Sequence, residues 1–281
     1  MYYTRLQVIC HSDFSEILMA EVAEAGFDTF LETEQGFDAY AEEQKTDSVL
    51  LEEIKEKYKH VQPLIFFRDK VHKQNWNEEW EKNVEPVIVE DRCLIRAAFH
   101  KIEKKYPYEL IITPKMSFGT GHHQTTYLMV KSQLDLEHTD KRVMDAGCGT
   151  AILSVMASLR GAREVEAFDI DEWSIENGRE NAETNHCSNI HIRQGTIREF
   201  EWPSKFDIVL ANINKNVLLD EMKSYADVLE SGGTLLLSGF YTKDIDDLLD
   251  EAGVYGLQPQ GSDQREGWAS LLLKKSTGPR Q

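Results

Sequence analysis

Residues 143–152 read Val-Met-Asp-Ala-Gly-Cys-Gly-Thr-Ala-Ile, and 22 positions past Gly147 stands Asp169, closing the apolar run Val165-Glu166-Ala167-Phe168. An apolar strand that turns through two glycines lets a ligand approach backbone N–H groups that no side chain screens. The acid at the end of the next strand then offers a carboxylate to ribose hydroxyls. A dinucleotide fingerprint would place a third glycine at position 152, where helix and strand pack closely. Ile152 stands there instead, and Asp145 precedes the first glycine. These two departures favour S-adenosylmethionine over NAD, with Asp145, Gly147, Gly149 and Asp169 as the contacts. Cys148 reads as a small turn filler rather than a nucleophile, and Asp171 as the cap of the next helix.

Two further segments converge on the same strand ends. Leu210-Ala211-Asn212-Ile213-Asn214 follows the run Phe206–Val209. At such a position a methyl transfer to nitrogen needs oxygens that orient the amine lone pair, and Asn212 is the candidate catalytic residue; the plainer alternative is an Asn that closes a turn. The other segment is Met116-Ser117-Phe118-Gly119-Thr120-Gly121-His122-His123-Gln124-Thr125-Thr126. Two glycines around a threonine make a mobile loop, able to close over the cofactor with Phe118, Thr125 and Thr126 beside it, the two threonine hydroxyls opening the next helix. The adjacent histidines point apart and no further ligand stands at metal-binding spacing, so no metal is expected.

These residues need a scaffold, and the hydrophobic periodicity supplies one. Arg142–Ala146, Glu164–Asp169, Ile190–Gln194, Phe206–Ala211 and Thr234–Ser238 read as strands, each followed by a helical stretch, the pattern of a doubly wound parallel sheet. Tyr255–Pro259 and Trp268–Lys274 are joined only by a polar turn and must pair antiparallel, which gives a Rossmann-like, seven-stranded sheet of the methyltransferase form. Ahead of it lie short strands at Val87–Val89, Cys93–Phe99 and Glu109–Ile112.

The first segment is a small α+β unit. Leu6 and Val8 share a strand face, a helix capped by Asp13 carries Phe14, Ile17, Leu18, Val22 and Ala25 up to Gly26, and residues 28–34 and 37–42 form a hairpin. Leu50, Leu51, Ile54 and Tyr58 mark a second helix and Val61–Phe67 a last strand. This order, βαββαβ, is ferredoxin-like, a scaffold for macromolecular contact. The expected division is therefore 1–67 for this unit, 68–85 for a linker helix whose Trp76 and Trp80 pack on a neighbour, and 86–281 for the cofactor domain.

Composition excludes several classes. A net charge of −18 repels nucleic acid phosphates, and no run approaches the roughly 18 apolar residues that span a bilayer. The start lacks the layout of a secretion signal, so a cytoplasmic protein is expected. The four scattered cysteines support neither disulfides nor zinc. Residues 1–66 hold 14 Asp and Glu against 5 Lys and Arg, an imbalance that suits either a basic protein partner or simple solubility.

Taken together, the loop Phe118-Gly119-Thr120-Gly121-His122-His123-Gln124-Thr125-Thr126, the Asp-x-Gly-x-Gly turn, Asp169 and the run Val209-Leu210-Ala211-Asn212-Ile213 resemble the bacterial ribosomal protein L11 methyltransferase family, over essentially the whole chain. The resemblance implies cofactor contacts at Thr126, Gly147, Asp169 and Asn212, and a substrate-recognition role for the amino-terminal unit. It implies transfer of methyl groups from S-adenosylmethionine to lysine ε-amines and the α-amine of ribosomal protein L11, by a monomer without direct nucleic acid or membrane contact. Thr150-Ala151 departs from the family's usual Ser-Gly or Thr-Gly, and Ala151 is expected only to tighten packing at the helix start. The competing readings are a methyltransferase for another acceptor, an NAD-dependent oxidoreductase and a non-catalytic binding protein.

Overall fold

A computed structural model of the protein describes residues 2–27, 29–33, 35–42, 45–59, 63–72, 85–113, 119 and 121–277. The chain divides into two compact units, Met1–Asn83 and Val84–Gln281. Among the described residues no helix is long and apolar enough to cross a membrane.

The first unit contains β1 (Tyr2–Cys10), α1 (Ser12–Glu24), β2 (Thr29–Thr33), β3 (Gly36–Glu42), α2 (Ser48–Lys57) and β4 (Leu64–His72). Its sheet has the order β2-β3-β1-β4 with every pairing antiparallel, the ferredoxin-like arrangement. Alternation sorts the strand residues. Leu6, Val8, Phe37 and Ala39 turn to the face covered by Leu18, Val22, Leu51 and Ile54 of the helices, all buried. On the other face Arg5 bonds Asp38 through Nε at 3.1 Å and Nη2 at 2.9 Å, while Ile65 and Phe67 are more than half exposed. Two expectations need correction. α1 begins at Ser12, so Asp13 lies inside its first turn rather than capping it. Residues 68–72, expected to open a linker helix, continue β4, because each pairs across to β1, Arg68 with Leu6 and Asp69 with Arg5. The remainder of that expected helix, Trp76 and Trp80 included, falls outside the described residues.

The second unit begins with a small sheet, β5 (Val87–Val89), β6 (Cys93–Arg96) and β7 (Tyr108–Ile111), in that order. There follow α3 (Gln124–Asp135), β8 (Arg142–Ala146), α4 (Ile152–Leu159), β9 (Glu164–Asp169), α5 (Glu172–Thr184), β10 (Ile190–Gln194), β11 (Phe206–Asn212), α6 (Lys215–Val228), β12 (Leu229–Tyr241), α7 (Ile245–Val254), β13 (Leu257–Arg265) and β14 (Trp268–Lys275). They form one sheet of order β10-β9-β8-β11-β12-β14-β13, parallel except where β14 pairs with β12 and β13.

Helices cover both faces, which is why the strands read as continuous apolar runs. Val143, Val165, Ile208, Leu210 and Leu236 pack with Met129, Val130, Val155 and Met156 of α3 and α4. The alternate residues Met144, Ala146, Val209, Ala211 and Leu237 pack with Leu218, Met222 and Tyr225 of α6 and Leu248 and Ala252 of α7. Each buried Leu, Met or Val contributes about 1.5–3 kcal/mol, so the sheet ends are held by a core on either side. The expected helix after β10 is absent: residues 195–205 run as turns, and Phe200 and Trp202 pack around Phe168 and Phe206.

Candidate functional site

A pocket of about 540 Å³ opens at the carboxyl ends of β8, β9, β10, β11 and β12, where the strand order reverses. Its centre is the turn after β8. Gly147 and Cys148 both donate backbone N–H groups to the Phe168 carbonyl, at 2.9 and 3.0 Å. Gly147 has a positive φ of 67°, and a Cβ there would lie 2.4 Å from Ile213 Cγ2. Only glycine leaves this wall open. Asp169 then clamps the turn: one oxygen accepts from Gly149 N at 2.9 Å, the other from Asp171 N at 3.0 Å. An ionised carboxylate has about four acceptor positions, so about two remain for a ligand. Asp171 does cap α5, accepting from Trp173 N.

Ala151 differs from its expectation. It is buried and packs in the cluster with Ile175, but it also stands at φ 59°, in the left-handed region, as the first flanking residue of α4. That conformation costs a residue with a Cβ about 1–2 kcal/mol. Glycine would adopt it freely; Ala151 adds strain to tight packing.

At one end of the pocket lie Asn212, Gly239, His123, Thr125 and Trp268. Asn212 ends β11, and its Oδ1 is buried without a hydrogen-bond partner among the described residues. Gly239 lies opposite with φ 98°, where a Cβ would come within 2.0 Å of the Ile213 carbonyl oxygen. His123, rather than a threonine, caps α3. Its Nδ1 accepts from Thr125 N at 3.3 Å and stands 2.7 Å from Thr125 Oγ1. Burial lowers its pKa, which keeps the imidazole neutral. Its ring sits edge-on to Trp268 at 4.6 Å, and Trp268 stacks on Tyr241 at 4.2 Å. The register explains this meeting, since Tyr241 of β12 pairs with Trp268 of β14.

The other expected contacts lie behind the wall. Asp145 is fully buried, its Oδ2 accepting from Ser154 Oγ at 2.6 Å and its Oδ1 unpartnered among the described residues. Burial pushes its pKa up to about 7 against the opposing Ser154 hydrogen bond, with the charge of Asp169 adding to the rise. Thr126 is likewise buried, with Oγ1 unpartnered. Phe118 falls outside the described residues. Gly119 does not: its carbonyl accepts from Thr150 Oγ1 at 2.6 Å, which ties the glycine loop to the cofactor turn. Cys148 is buried and its thiol pKa is raised well above the ordinary value by burial, so it is inert. Among the described residues no group of three or more His, Cys, Asp or Glu could hold a metal.

Sequence reasoning brought Gly147, Gly149, Asp169, Asn212 and Thr125 to one pocket. It missed Trp268, Gly239, Val217 and Glu221, which also line it. A cysteine–glycine turn carries a local signal; these four arrive from three elements, Val217 and Glu221 from one face of α6, Gly239 from β12 and Trp268 from β14, brought together by sheet order.

A parallel sheet switching direction beside β8, with the reversed last strand β14 inserted between β12 and the edge strand β13, defines the methyltransferase class of α/β folds. A solved ribosomal protein L11 methylase from Lactobacillus delbrueckii subsp. bulgaricus shares this fold, with a TM-score of 0.63 and 23% identity, covering 69% of this chain and 100% of that one. The profile described as "Ribosomal protein L11 methyltransferase (PrmA)" matches residues 11–276. Relatives bearing that name include one from Porphyromonas gingivalis, 43% identical over 91% of this chain and 89% of its own length. Another, from Bacteroides thetaiotaomicron, is 39% identical over 93% of this chain and 94% of its own length. The chain belongs to the ribosomal protein L11 methyltransferase family.

Proposed function

We propose that the protein is an S-adenosylmethionine-dependent N-methyltransferase whose acceptors are lysine ε-amines and the α-amine of ribosomal protein L11. The carrying observation is the pairing, in one pocket, of the Asp169-braced glycine turn with the unpartnered Asn212 Oδ1. The residues fit the cofactor. Asp169 keeps acceptor positions for ribose hydroxyls, Gly147 and Gly149 leave room for the chain that carries the sulfur, and Thr125 lines the same wall. Asp145 Oδ1 and Thr126 Oγ1, buried without partners among the described residues, stand behind that wall and back the turn rather than line the pocket, and Thr150 holds the carbonyl of Gly119.

S-adenosylmethionine supplies a methyl group on a sulfonium, a good leaving group. The protein's task is to align a neutral amine and exclude water. Asn212 Oδ1 accepts an N–H of that amine and turns its lone pair inward. His123 and Trp268 line the same end of the pocket with neutral rings that lower local polarity. An unperturbed lysine has a pKa of about 10.4, and such surroundings depress it.

The amino-terminal unit recognises the substrate in this reading. Its acidic excess suits a basic ribosomal protein, and the sheet face opposite its helices presents Ile65 and Phe67. Steering by charge makes the on-rate fall as salt rises. The enzyme acts in the cytoplasm as a monomer, and its net charge of −18 disfavours direct nucleic acid contact.

The test is intact-mass spectrometry of unmethylated ribosomal protein L11 incubated with the enzyme and S-adenosylmethionine. Mass gains in whole methyl steps, absent with Asp169→Ala, support the reading. No gain, with calorimetry still registering cofactor binding, moves the proposal to another acceptor.

A further inference from the structure

The end of the pocket away from Asn212 contains a carboxylate with no part in the scheme above. Beyond Asp169 the walls are apolar: Ile170, 72% exposed, and Val217, with Phe168 between them and the core. The polar side chains lining the pocket around them are Asp171, both of whose oxygens already accept from α5, at Trp173 N and Ser174 Oγ, with Ser174 itself, Thr196, after β10, and Glu221, from α6. Glu221 is only 9% exposed. Its Oε2 accepts from the hydroxyl of Tyr225, a side chain with no exposure, while its Oε1 makes no hydrogen bond among the described residues.

The neighbouring turn is fastened to the same helix. Arg198 bonds the Asp220 carbonyl at 2.6 Å and the Asp220 carboxylate at 2.8 Å, and Glu199 accepts from Thr196 N at 2.7 Å. Glu221 thus lines the pocket with one oxygen fixed by a buried phenol, on a helix to which the neighbouring turn is fastened one residue away. A carboxylate is acceptor-only. A ring lying between Ile170 and Val217 must present an N–H donor to it.

We propose that Glu221 accepts the exocyclic amine of adenine and sets the base specificity of the cofactor site. This rests on reading the pocket as the S-adenosylmethionine site, with Asp169 at the ribose. A 6-oxo purine would set a carbonyl oxygen against the carboxylate, placing two acceptors face to face. Sites built to bond a specific donor reject analogues lacking it far more strongly than apolar pockets reject a change of size.

The test is calorimetry on the full chain with S-adenosylhomocysteine and S-inosylhomocysteine. Wild type is expected to prefer the adenosyl ligand by about a hundredfold or more, as loss of a hydrogen bond to a charged group predicts. Glu221→Gln presents either an oxygen or an NH₂ group and is expected to narrow the preference to about tenfold or less, chiefly by tighter binding of the inosyl ligand, an effect that simple unfolding cannot produce. An unchanged ratio in Glu221→Gln, or a wild type that binds both ligands alike, overturns the role of Glu221 while leaving the cofactor reading intact. A wild type that binds neither ligand overturns both.

Discussion

Replacing Asp169 by alanine probes the centre of the site. Each of its oxygens already holds a backbone N–H, from Gly149 at 2.9 Å and Asp171 at 3.0 Å, so its orientation is set before a ligand arrives. Two ribose hydroxyls donating to this fixed carboxylate contribute about 1.5–3 kcal/mol each, and the variant should lose at least about 3 kcal/mol, more than a hundredfold in Kd. The turn itself suffers less. The Asp171 N–H is exposed and the buried Gly149 N–H loses its acceptor, so the global stability cost should be about 1–3 kcal/mol. Calorimetry with S-adenosylhomocysteine and its 2′-deoxy analogue separates the effects. Wild type should bind the deoxy analogue more weakly, whereas Asp169→Ala, lacking the acceptor, should bind the two alike. A folded Asp169→Ala that keeps its affinity within about threefold, or that penalises the deoxy analogue as wild type does, refutes the assignment.

Two further outcomes follow from geometry and burial. Gly239→Ala forces a Cβ to within 2.0 Å of the Ile213 carbonyl at φ 98°, and should cost about 2–4 kcal/mol in denaturant unfolding while displacing Asn212; an unchanged midpoint would contradict the close approach. Asp145, with a pKa of about 7 when folded against about 3.9 when unfolded, prefers its protonated form in the native state. Its contribution is therefore intact below about pH 4 and lost as pH rises through 7, on the order of 4 kcal/mol at most, so Asp145→Asn should gain stability relative to wild type between pH 5 and pH 8; a difference that does not change with pH would contradict it.

The sheet was legible because its strands are short and bounded. β8, β9 and β10 end at or just before Gly147, Asp169 and Gly195; β8 is buried throughout, while β9 and the edge strand β10 keep the period-two alternation of Val165 and Ala167, and of Ile190 and Ile192, with polar residues. β12 was read short. Its first residues, Leu229-Glu230-Ser231-Gly232-Gly233, look like a turn, and only the pairing of Leu229 with Phe206 followed by a register shift makes them strand. β4 was cut short for a similar reason. Arg68, Asp69 and Lys70 are polar, but β4 is an edge strand and Arg5 of β1 stands opposite Asp69. In the site, the glycine turn and Asp169 are linked through adjacent parallel strands and so carry a spacing. Trp268 meets His123 only because β14 is inserted beside β12, a fact of sheet order that no local pattern encodes.

In the proposed scheme Asn212 lets a site with no dedicated base use an amine. With Nδ1 accepting from the Thr125 N–H, the ring of His123 carries its proton on Nε2, and burial disfavours a second one. Asp145 is sealed behind the turn. The lining carboxylates Asp169, Asp171 and Glu221 are engaged by Gly149 N, Asp171 N, Trp173 N, Ser174 and Tyr225, so in the proposed scheme the amine sheds its proton to solvent before it is engaged, and the pocket's part is to avoid stabilising the ammonium. An amide oxygen does this: it accepts one N–H of a neutral amine without a full negative charge. Asn212→Asp keeps the shape and the acceptor while adding that charge. Each unit by which it raises the bound amine's pKa removes about tenfold of the reactive form at neutral pH. The expected result is a large loss of rate at pH 7, partly recovered toward pH 9, with cofactor affinity measured separately by calorimetry. A variant equally impaired at every pH would place Asn212 in a steric or folding role instead.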